Sequence, residues 1–322
     1  MNKTLNPKLF DEDVEQEATR TGYGKALLEE GGKNKEIIAL SADLTGSTKT
    51  NLFSEKYPER FIEVGVAEQN MTAVAAGLAM EGKIPFIASY AVFSPGRAWD
   101  HVRVAVCYSK ANVKIVGAHA GISVGPDGAT HQALEDIASM RVLPNLIVEV
   151  PCDSIEAEKT VRAFVKHKGP CYFRLGREAT PIVTTKKTPF AIGKAEIFRS
   201  GKDVTVIACG AMVYEALIAA NALEKEGIDC EVINNHSIKP IDEETIIKSA
   251  KKTKRVVTAE EHQVAGGMGS AVAEVLSRKA PTRIEFVGMK DCFGESGQPN
   301  ELMQKYGLNS NAIIKAVKKI TS

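Results

Sequence analysis

Five polar segments carry side chains that could bind a ligand or move protons. They contain carboxylates, two histidines and an arginine close to glycines and hydroxyls. The segments are Ser41–Ser47 (SADLTGS), Glu63–Asn70 (EVGVAEQN), Ser89–Phe93 (SYAVF), Ala118–Gln132 (AHAGISVGPDGATHQ) and Phe173–Glu178 (FRLGRE). They lie at the carboxyl ends of predicted strands, where parallel-sheet proteins place their ligands. This shared position indicates a ligand site.

Each of these residues also has an ordinary structural role when it is considered alone. Glu68 opens an Ala-rich helix, where a carboxylate is favourable at the positive end of the helix dipole. A single loop histidine such as His119 or His131 is more often hydrogen-bonded than catalytic. Arg177 alone would form a surface ion pair that contributes little stability. Only the combination points to chemistry.

The elements that position these residues are predicted from alternating patterns. From Glu36 onward, short β-rich runs such as EIIAL, PFIAS and LIVEV alternate with helix-length segments. This alternation predicts βαβ units and a mostly parallel sheet with helices on both faces. The turn-rich stretch Thr180–Gly193 is a predicted linker, and a second alternating series follows it. We therefore predict an α/β fold of two three-layer α/β/α domains, over residues 1–185 and 194–322.

Composition excludes several classes of protein. The chain has 322 residues, 44% hydrophobic and 25% charged, which is typical of a globular protein. Its 41 basic and 40 acidic residues leave a charge of +1, so nucleic acid and membrane surfaces are not expected partners. No apolar run reaches the roughly 20 residues that span a bilayer, and the polar, acidic start predicts a cytoplasmic protein. The six scattered cysteines are predicted to be buried thiols.

Two glycine-containing segments have features of anion-binding sites. Gly77–Lys83 has the spacing of a phosphate-binding loop, but Ile84 replaces the required Ser or Thr and the motif ends a helix. No GxGxxG dinucleotide motif is present. The run Val264–Ser270 (VAGGMGS) precedes a helix and could bind an anion through its N–H groups, or could serve close packing.

The order and spacing of these motifs resemble a known family. ADLTGS, EVGVAEQNM, HAGISVGPDGATHQ with RVLPNLIVEVPCD, and LGRE are similar to the pyrimidine-binding domain of thiamine diphosphate-dependent transketolases. The EEH and GGMGSAVAE stretches beyond the linker resemble the smaller transketolase C-terminal domain. The resemblance covers essentially the whole chain, and GPDGATHQ is its most specific element.

The resemblance implies a role for each matching residue. Glu68 matches the glutamate that hydrogen-bonds N1′ of the cofactor's aminopyrimidine. Phe93 and Tyr90 match aromatics around that ring, and Asp43 matches an acidic residue near the cofactor. The residues that match the family's substrate-phosphate ligands are Arg20, Ser47, His119 and Arg177. Asp127 matches the aspartate that binds a substrate hydroxyl, and His131 matches the histidine beside the reacting carbonyl. The predicted catalytic set is therefore Glu68, His131, His119 and Asp127.

Two departures from the family pattern leave questions open. The third aromatic of the pyrimidine pocket is replaced by Gly96, and Trp99 follows after an apparent insertion. Transketolases commonly have Arg-Glu-His where this chain has Ala67, Glu68 and Gln69, which is closer to 1-deoxy-xylulose-5-phosphate synthase. The glutamate is retained, so the second departure bears on the acceptor substrate.

The chain lacks a matching GDG motif with following asparagines, by which transketolases hold the diphosphate and the metal. We therefore expect the C-terminal subunit of a split transketolase, with thiamine diphosphate shared with an N-terminal subunit that carries the GDG motif. That partner would bind Mg²⁺ or Ca²⁺, and no metal ligand is predicted in this chain. The expected assembly is a heterotetramer with two copies of this chain at its centre. The expected substrates are sugar phosphates.

Three other interpretations remain open at this stage. Two are enzymes: part of a 1-deoxy-xylulose-5-phosphate synthase-like protein, and the β subunit of a 2-oxo-acid dehydrogenase. The second is disfavoured by Asp127–His131 and by the absence of a QHS-type loop. The third is a catalytically silent scaffold, which the joint presence of the predicted site residues disfavours.

Overall fold

The computed structural model describes all 322 residues. It contains fourteen strands and eleven α-helices. The strands are β1 (Gln16–Ala18), β2 (Ile37–Ser41), β3 (Phe61–Glu63), β4 (Ile84–Tyr90), β5 (Lys114–Ala118), β6 (Ile147–Glu149), β7 (Cys171–Arg174), β8 (Ala179–Pro181), β9 (Glu196–Arg199), β10 (Val204–Ala208), β11 (Cys230–Asn234), β12 (Ser237–Lys239), β13 (Arg255–Gln263) and β14 (Arg283–Met289). The α-helices are α1 (Thr19–Lys33), α2 (Asn51–Lys56), α3 (Glu68–Met80), α4 (Trp99–His101), α5 (Asp136–Arg141), α6 (Ser154–Lys166), α7 (Met212–Glu224), α8 (Glu243–Thr253), α9 (Met268–Lys279), α10 (Pro299–Lys305) and α11 (Ser310–Thr321). Short 3₁₀ turns cover Pro58–Arg60 and Ile122–Asp127, and a π-helix covers Val102–Tyr108.

The first sheet has seven strands in the order β12-β6-β7-β5-β4-β2-β3. All its pairs are parallel except β12 with β6. Alternate residues of β2 enter different apolar clusters: Ile37 packs with α1, α2 and α6, whereas Ile38 packs with α3 and the π-helix. Helices therefore cover both faces of this sheet, as the alternating pattern predicts.

The second sheet has five strands in the order β14-β13-β10-β11-β9. Only β9 runs antiparallel to its neighbour. Val204 and Val206 of β10 pack with α7 and α11, whereas Ile207 packs with α8 and α9. The predicted α/β class with mostly parallel sheets and two three-layer units is confirmed.

The two sheets are joined by a strand that crosses between them. β12 follows β11 of the second sheet but pairs with β6 at the edge of the first. At this junction Nδ1 of His236 lies 2.9 Å from Oε2 of Glu149, and the Ser237 hydroxyl donates to Oε1 of the same carboxylate. The first two residues of the predicted linker Thr180–Gly193 belong to β8, which pairs with β1, and no helix or strand lies between Pro181 and Glu196. The domain limits at 185 and 194 stay a prediction.

One local expectation needs correction. Five of the six cysteines are buried, but Cys292 is exposed because it lies in the loop between β14 and α10. The segment from Gly96 to Lys110 is only partly α-helical, since α4 is one turn long and continues as the π-helix. No helix of the structure combines the length and the apolar character that crossing a membrane requires.

Candidate active site

The five polar segments meet at one edge of the first sheet. They follow β2, β3, β4, β5 and β7, which are consecutive neighbours in the order β7-β5-β4-β2-β3. These strands are mutually parallel, so their carboxyl ends lie on the same side. The sequence prediction that these segments share one side of the sheet is therefore confirmed.

Glu68 is the first residue of α3 and is buried, with 1% of its surface exposed. Its Oε2 accepts a hydrogen bond of 2.8 Å from Nη1 of Arg97, and no protein donor contacts Oε1. The helix dipole favours a negative charge at this end of α3. The carboxylate is therefore held at one oxygen and available at the other.

Arg97 is a site residue that the sequence interpretation did not identify. Its guanidinium carbon lies 4.7 Å from the centroid of Phe93, so the cation stacks on that ring while it binds Glu68. Glu68 and Phe93 thus border the same space. The only sequence signal was the missing third aromatic at Gly96, directly before Arg97.

The geometry around Gly96 explains why an arginine takes this place. A Cβ at position 96 would lie 2.1 Å from the carbonyl oxygen of Val92, so no side chain fits there. Trp99 packs against the apolar core and donates its indole N–H to the Ser139 carbonyl at 2.9 Å. Arg97 is therefore the group that stacks on Phe93 from this segment.

Aromatic and histidine rings form a continuous cluster next to Glu68. Tyr90 stacks on His119 with centroids 3.9 Å apart, and lies nearly parallel to Phe93 at 6.1 Å. His131 meets Phe93 edge-on at 5.4 Å, and its Nδ1 lies 2.9 Å from the Thr130 hydroxyl. The two predicted aromatics and the two predicted histidines are therefore brought together.

His119 is buried and electrically neutral. Burial, followed by the positive charges of Arg20 and Arg177 and by His131, lowers the pKa of His119 to about 3. Its backbone has φ of +51°, a left-handed conformation that non-glycine residues seldom adopt. Its Nδ1 is buried without a hydrogen-bond partner in the protein. An unsatisfied polar atom of this kind is costly, and a ligand would satisfy it.

Arg20 and Arg177 form a cationic pair beside His119. Nε of Arg20 donates to the Arg177 carbonyl at 3.0 Å and its Nη1 donates to the Ser47 carbonyl at 2.7 Å. Nη1 of Arg177 donates to the carbonyl of Val124 at 2.5 Å. Burial, followed by the charge of Arg177, lowers the pKa of Arg20. Two guanidinium groups held close together favour an anion between them.

Three predicted residues contribute less than the others. Ser47 enters the network through its carbonyl, and no hydrogen bond of its hydroxyl is formed within the protein. Asp43 is exposed, and its backbone N–H donates to Glu63. Asp127 is exposed at the end of the 3₁₀ turn that begins at Ile122. No hydrogen bond or ion pair joins the side chains of Asp43 and Asp127 to the other candidates.

The second half of the chain contacts the segment Ala118–Gln132, which includes the GPDGATHQ loop. Glu261 of β13 accepts the N–H of Ser123 at 2.7 Å, and burial raises the pKa of Glu261. Nε2 of Gln132 donates to the Glu295 carbonyl at 2.9 Å. Gly294 packs so closely that a Cβ there would lie 1.9 Å from Oε1 of Gln132. The loop that carries Asp127 and His131 is thus fixed by both halves of the chain.

The VAGGMGS run is occupied by a carboxylate of the protein itself. Glu260 accepts the N–H groups of Met268 and Gly269 at 2.7 and 2.8 Å, at the start of α9. Burial raises the pKa of Glu260 to about 7 despite these bonds. The glycine at 267 is required here because a Cβ would lie 2.2 Å from Oε2 of Glu260. An external anion has no place at this helix start.

The geometry fits the pyrimidine end of thiamine diphosphate. A buried carboxylate with one open oxygen and aromatic rings beside it suit a flat heteroaromatic ring whose nitrogen atoms form hydrogen bonds. No three His, Cys, Asp or Glu side chains converge as ligands for a metal. The residues present therefore suit one end of the cofactor.

Comparison with known proteins gives matches along the whole chain. Residues 15–183 match the family model described as transketolase, pyrimidine binding domain, and residues 193–313 match transketolase, C-terminal domain. A protein of Methanocaldococcus jannaschii described as a putative transketolase C-terminal section is 47% identical over 92% of this chain and 94% of its own length.

Two further proteins are similar over nearly their full lengths. The 6-deoxy-6-sulfo-D-fructose transketolase subunit SqwH of a Clostridium species is 43% identical over 97% of each chain. A solved structure described as a split gene transketolase, inactive beta4 tetramer, is 48% identical with a TM-score of 0.87, over 94% of this chain and 98% of that one.

Proposed function

Because the chain belongs to the transketolase family, we propose that it is the C-terminal subunit of a two-subunit, thiamine diphosphate-dependent transketolase. It would transfer a two-carbon ketol group from a ketose phosphate of the xylulose 5-phosphate type to an aldose phosphate. The observation that carries this proposal is the buried Glu68 carboxylate with Oε1 open, bordering the same space as Phe93. The bound cofactor would supply the carbanion chemistry of the transfer.

The chain's own residues would hold and orient the pyrimidine end. Oε1 of Glu68 would form the hydrogen bond with N1′, while Arg97 fixes Oε2 and so sets the orientation of the carboxylate. Phe93 and Tyr90 would border the ring and exclude water from it. Asp43 is placed near the cofactor only by the family resemblance.

The cationic pair would bind the anionic end of the substrate. The fork of each guanidinium suits phosphate oxygens, and neither arginine is neutralised by a buried carboxylate. His119 would contribute one hydrogen bond and no charge because it is neutral, and Ser47 would contribute its free hydroxyl. His131, anchored through Nδ1, has Nε2 left for the reacting carbonyl. Asp127 would bind a substrate hydroxyl.

An N-terminal partner subunit would complete the site. That partner would carry the GDG motif, hold the diphosphate and bind Mg²⁺ or Ca²⁺. Exposed apolar side chains on α3 and the π-helix support association: Met80 is 66% exposed, and Tyr108 is 83% exposed. These neighbouring helices offer a surface for self-association into a central dimer, and the complete enzyme would be a heterotetramer.

The test is reconstitution of activity from the two chains. The chain is mixed with its partner, thiamine diphosphate and magnesium, and ketol transfer from xylulose 5-phosphate is measured. A second donor, 6-deoxy-6-sulfo-D-fructose, is assayed in parallel, since a sulfonate would also suit Arg20 and Arg177. The matched controls are Glu68→Gln, which should be inactive, and Glu81→Gln at the exposed far end of the same helix, which should be fully active.

Each rival activity has its own outcome in this test. Decarboxylation of pyruvate without ketol transfer would overturn the proposal in favour of a 2-oxo-acid dehydrogenase subunit. Formation of deoxyxylulose phosphate from pyruvate would favour a synthase. Failure of the reconstituted pair to bind thiamine diphosphate would favour a silent scaffold.

A further inference from the structure

A second cavity, separate from the space around Glu68, lies between the two halves of the chain. Its volume is about 520 Å³, within the range of small-molecule sites. Thr19, Ser123 and Gly176 line it from the first half, and Tyr214, Glu261 and Asn311 line it from the second. The cavity therefore forms only where the two halves pack together.

This cavity shares a wall with the cationic pair. Each of three backbone segments places one residue on the cavity and the next residue in the arginine network: Thr19 precedes Arg20, Ser123 precedes Val124, and Gly176 precedes Arg177. The segments are bonded to one another, since the N–H of Gly176 donates to the Thr19 hydroxyl at 2.9 Å. The cavity lining and the arginine network are therefore built on the same three backbone segments.

The charged groups that line the cavity already have partners. The floor contains Arg174 and Glu261, which are 6% and 5% exposed. Arg174 is paired with Asp136, and Glu261 accepts from Ser123. The two other carboxylates are also engaged: Glu215 accepts the N–H of Ser310, and Glu178 lies 3.6 Å from Arg177. No free cation remains to attract a phosphate.

The uncommitted polar groups of the lining are neutral. Four solvent-exposed carboxamides line the cavity and form no side-chain hydrogen bond with the protein: Gln16, Asn300, Gln304 and Asn311. The hydroxyl of Tyr214 is equally free. Groups that both donate and accept suit a ligand rich in hydroxyls, which does the same. The lining therefore matches an uncharged, polyhydroxylated molecule.

We propose that this cavity is a second binding site, for a small uncharged polyhydroxylated molecule, and that its occupation changes the affinity of the Arg20–Arg177 pair for phosphate. The binding step is independent of the proposed function, whereas the coupling rests on the phosphate site that the proposed function assigns. Coupling between sites is reciprocal and commonly changes affinity by about 5- to 150-fold.

The experiment uses D-sorbitol as the probe and the full chain as the protein. Saturation-transfer NMR measures contact with sorbitol, and phosphorus NMR measures the affinity for inorganic phosphate with and without it. The variant Ala211→Trp places a large ring in the cavity, and Asn300→Ala with Asn311→Ala removes two free carboxamides without filling it. Putrescine is the cationic comparison probe.

We expect sorbitol contact in the wild type, its loss in both variants, and a phosphate affinity that changes by at least about fivefold when sorbitol is bound. Equal sorbitol contact in the wild type and both variants, or displacement of sorbitol by putrescine, would overturn the site. Sorbitol binding with an unchanged phosphate affinity would overturn the coupling. Phosphate binding that is unaffected by Arg177→Gln would instead overturn the phosphate site of the proposed function, while the sorbitol result still decides the cavity.

Discussion

Substitution of His119 by asparagine should make the protein less sensitive to acid. The pKa of His119 is lowered to about 3 in the folded chain, mainly by burial, and is about 6.5 when the chain unfolds. Below pH 6.5 His119 binds a proton in the unfolded chain but not in the folded chain, so stability falls as the pH drops from 6.5 towards 3. At pH 5 this single group should cost about 2 kcal/mol of folding free energy relative to neutral pH.

Asparagine is the appropriate replacement because the backbone at position 119 has φ of +51°, and asparagine adopts this region more readily than most residues. The assay is urea unfolding of the wild type and His119→Asn at pH 7.5 and pH 5.0. The variant should lose about 2 kcal/mol less than the wild type between the two pH values, which corresponds to about 3 °C in the thermal midpoint of a chain this long.

Ser47→Ala is the matched control because it changes a side chain beside the same network, keeps the backbone carbonyl that accepts from Arg20, and removes no titrating group. It should show the pH dependence of the wild type. An identical loss of stability in the wild type and His119→Asn would refute the reasoning, because it would mean that His119 accepts its proton equally well in both states.

Four further predictions follow from the geometry of the site and its support. Glu68→Gln should lower kcat of the reconstituted enzyme by at least about 100-fold, and an unchanged kcat would exclude the role of Oε1. Arg97→Gln should weaken cofactor binding, measured by fluorescence titration, because it releases Oε2 of Glu68. Asp136→Ala should cost about 3–5 kcal/mol in urea unfolding, because it leaves the Arg174 guanidinium buried and unpaired; a cost below about 1 kcal/mol would contradict this pairing. Gly294→Ala should lower kcat/KM, because its Cβ would lie 1.9 Å from Oε1 of Gln132. Gly77→Ala, on the open side of α3, should be neutral or should stabilise the fold by up to about 1 kcal/mol. An equal kcat/KM of the two variants would exclude a role for the contact between Gly294 and Gln132.

The part of the site that the sequence predicted depends on local rules. Strands alternate with helices, and residues after parallel strands meet at one edge, so Glu68, Tyr90 and His119 could be assigned to one region. Because Glu68 stands at the start of a helix, the helix dipole could likewise be predicted to favour its negative charge. These inferences need only the alternation of strands and helices along the chain and the position of each residue relative to them.

The part that the sequence did not predict depends on tertiary contacts. Arg97 lies 29 residues after Glu68 in the sequence but contacts it in the fold. The close packing of Gly96 against Val92 leaves Arg97 as the residue of this segment that stacks on Phe93. Glu260 fills the start of α9 because β13 brings it there, which no motif in VAGGMGS discloses. Asp43 and Asp127 illustrate the reverse case: their segments lie at the predicted edge, but their side chains are exposed. A resemblance assigns a residue to a site, whereas its contacts depend on the rest of the fold.

The crossing of β12 has a consequence for the order in which the chain acquires its structure during synthesis. The first sheet lacks its edge strand until residues 237–239 have left the ribosome, by which time the linker and three strands of the second sheet have already emerged. Until then β6 is itself an open edge, which can pair with another chain. In a chain that ended within the linker, β6 would remain an open edge. The first sheet is therefore complete only when both halves belong to the same folded chain.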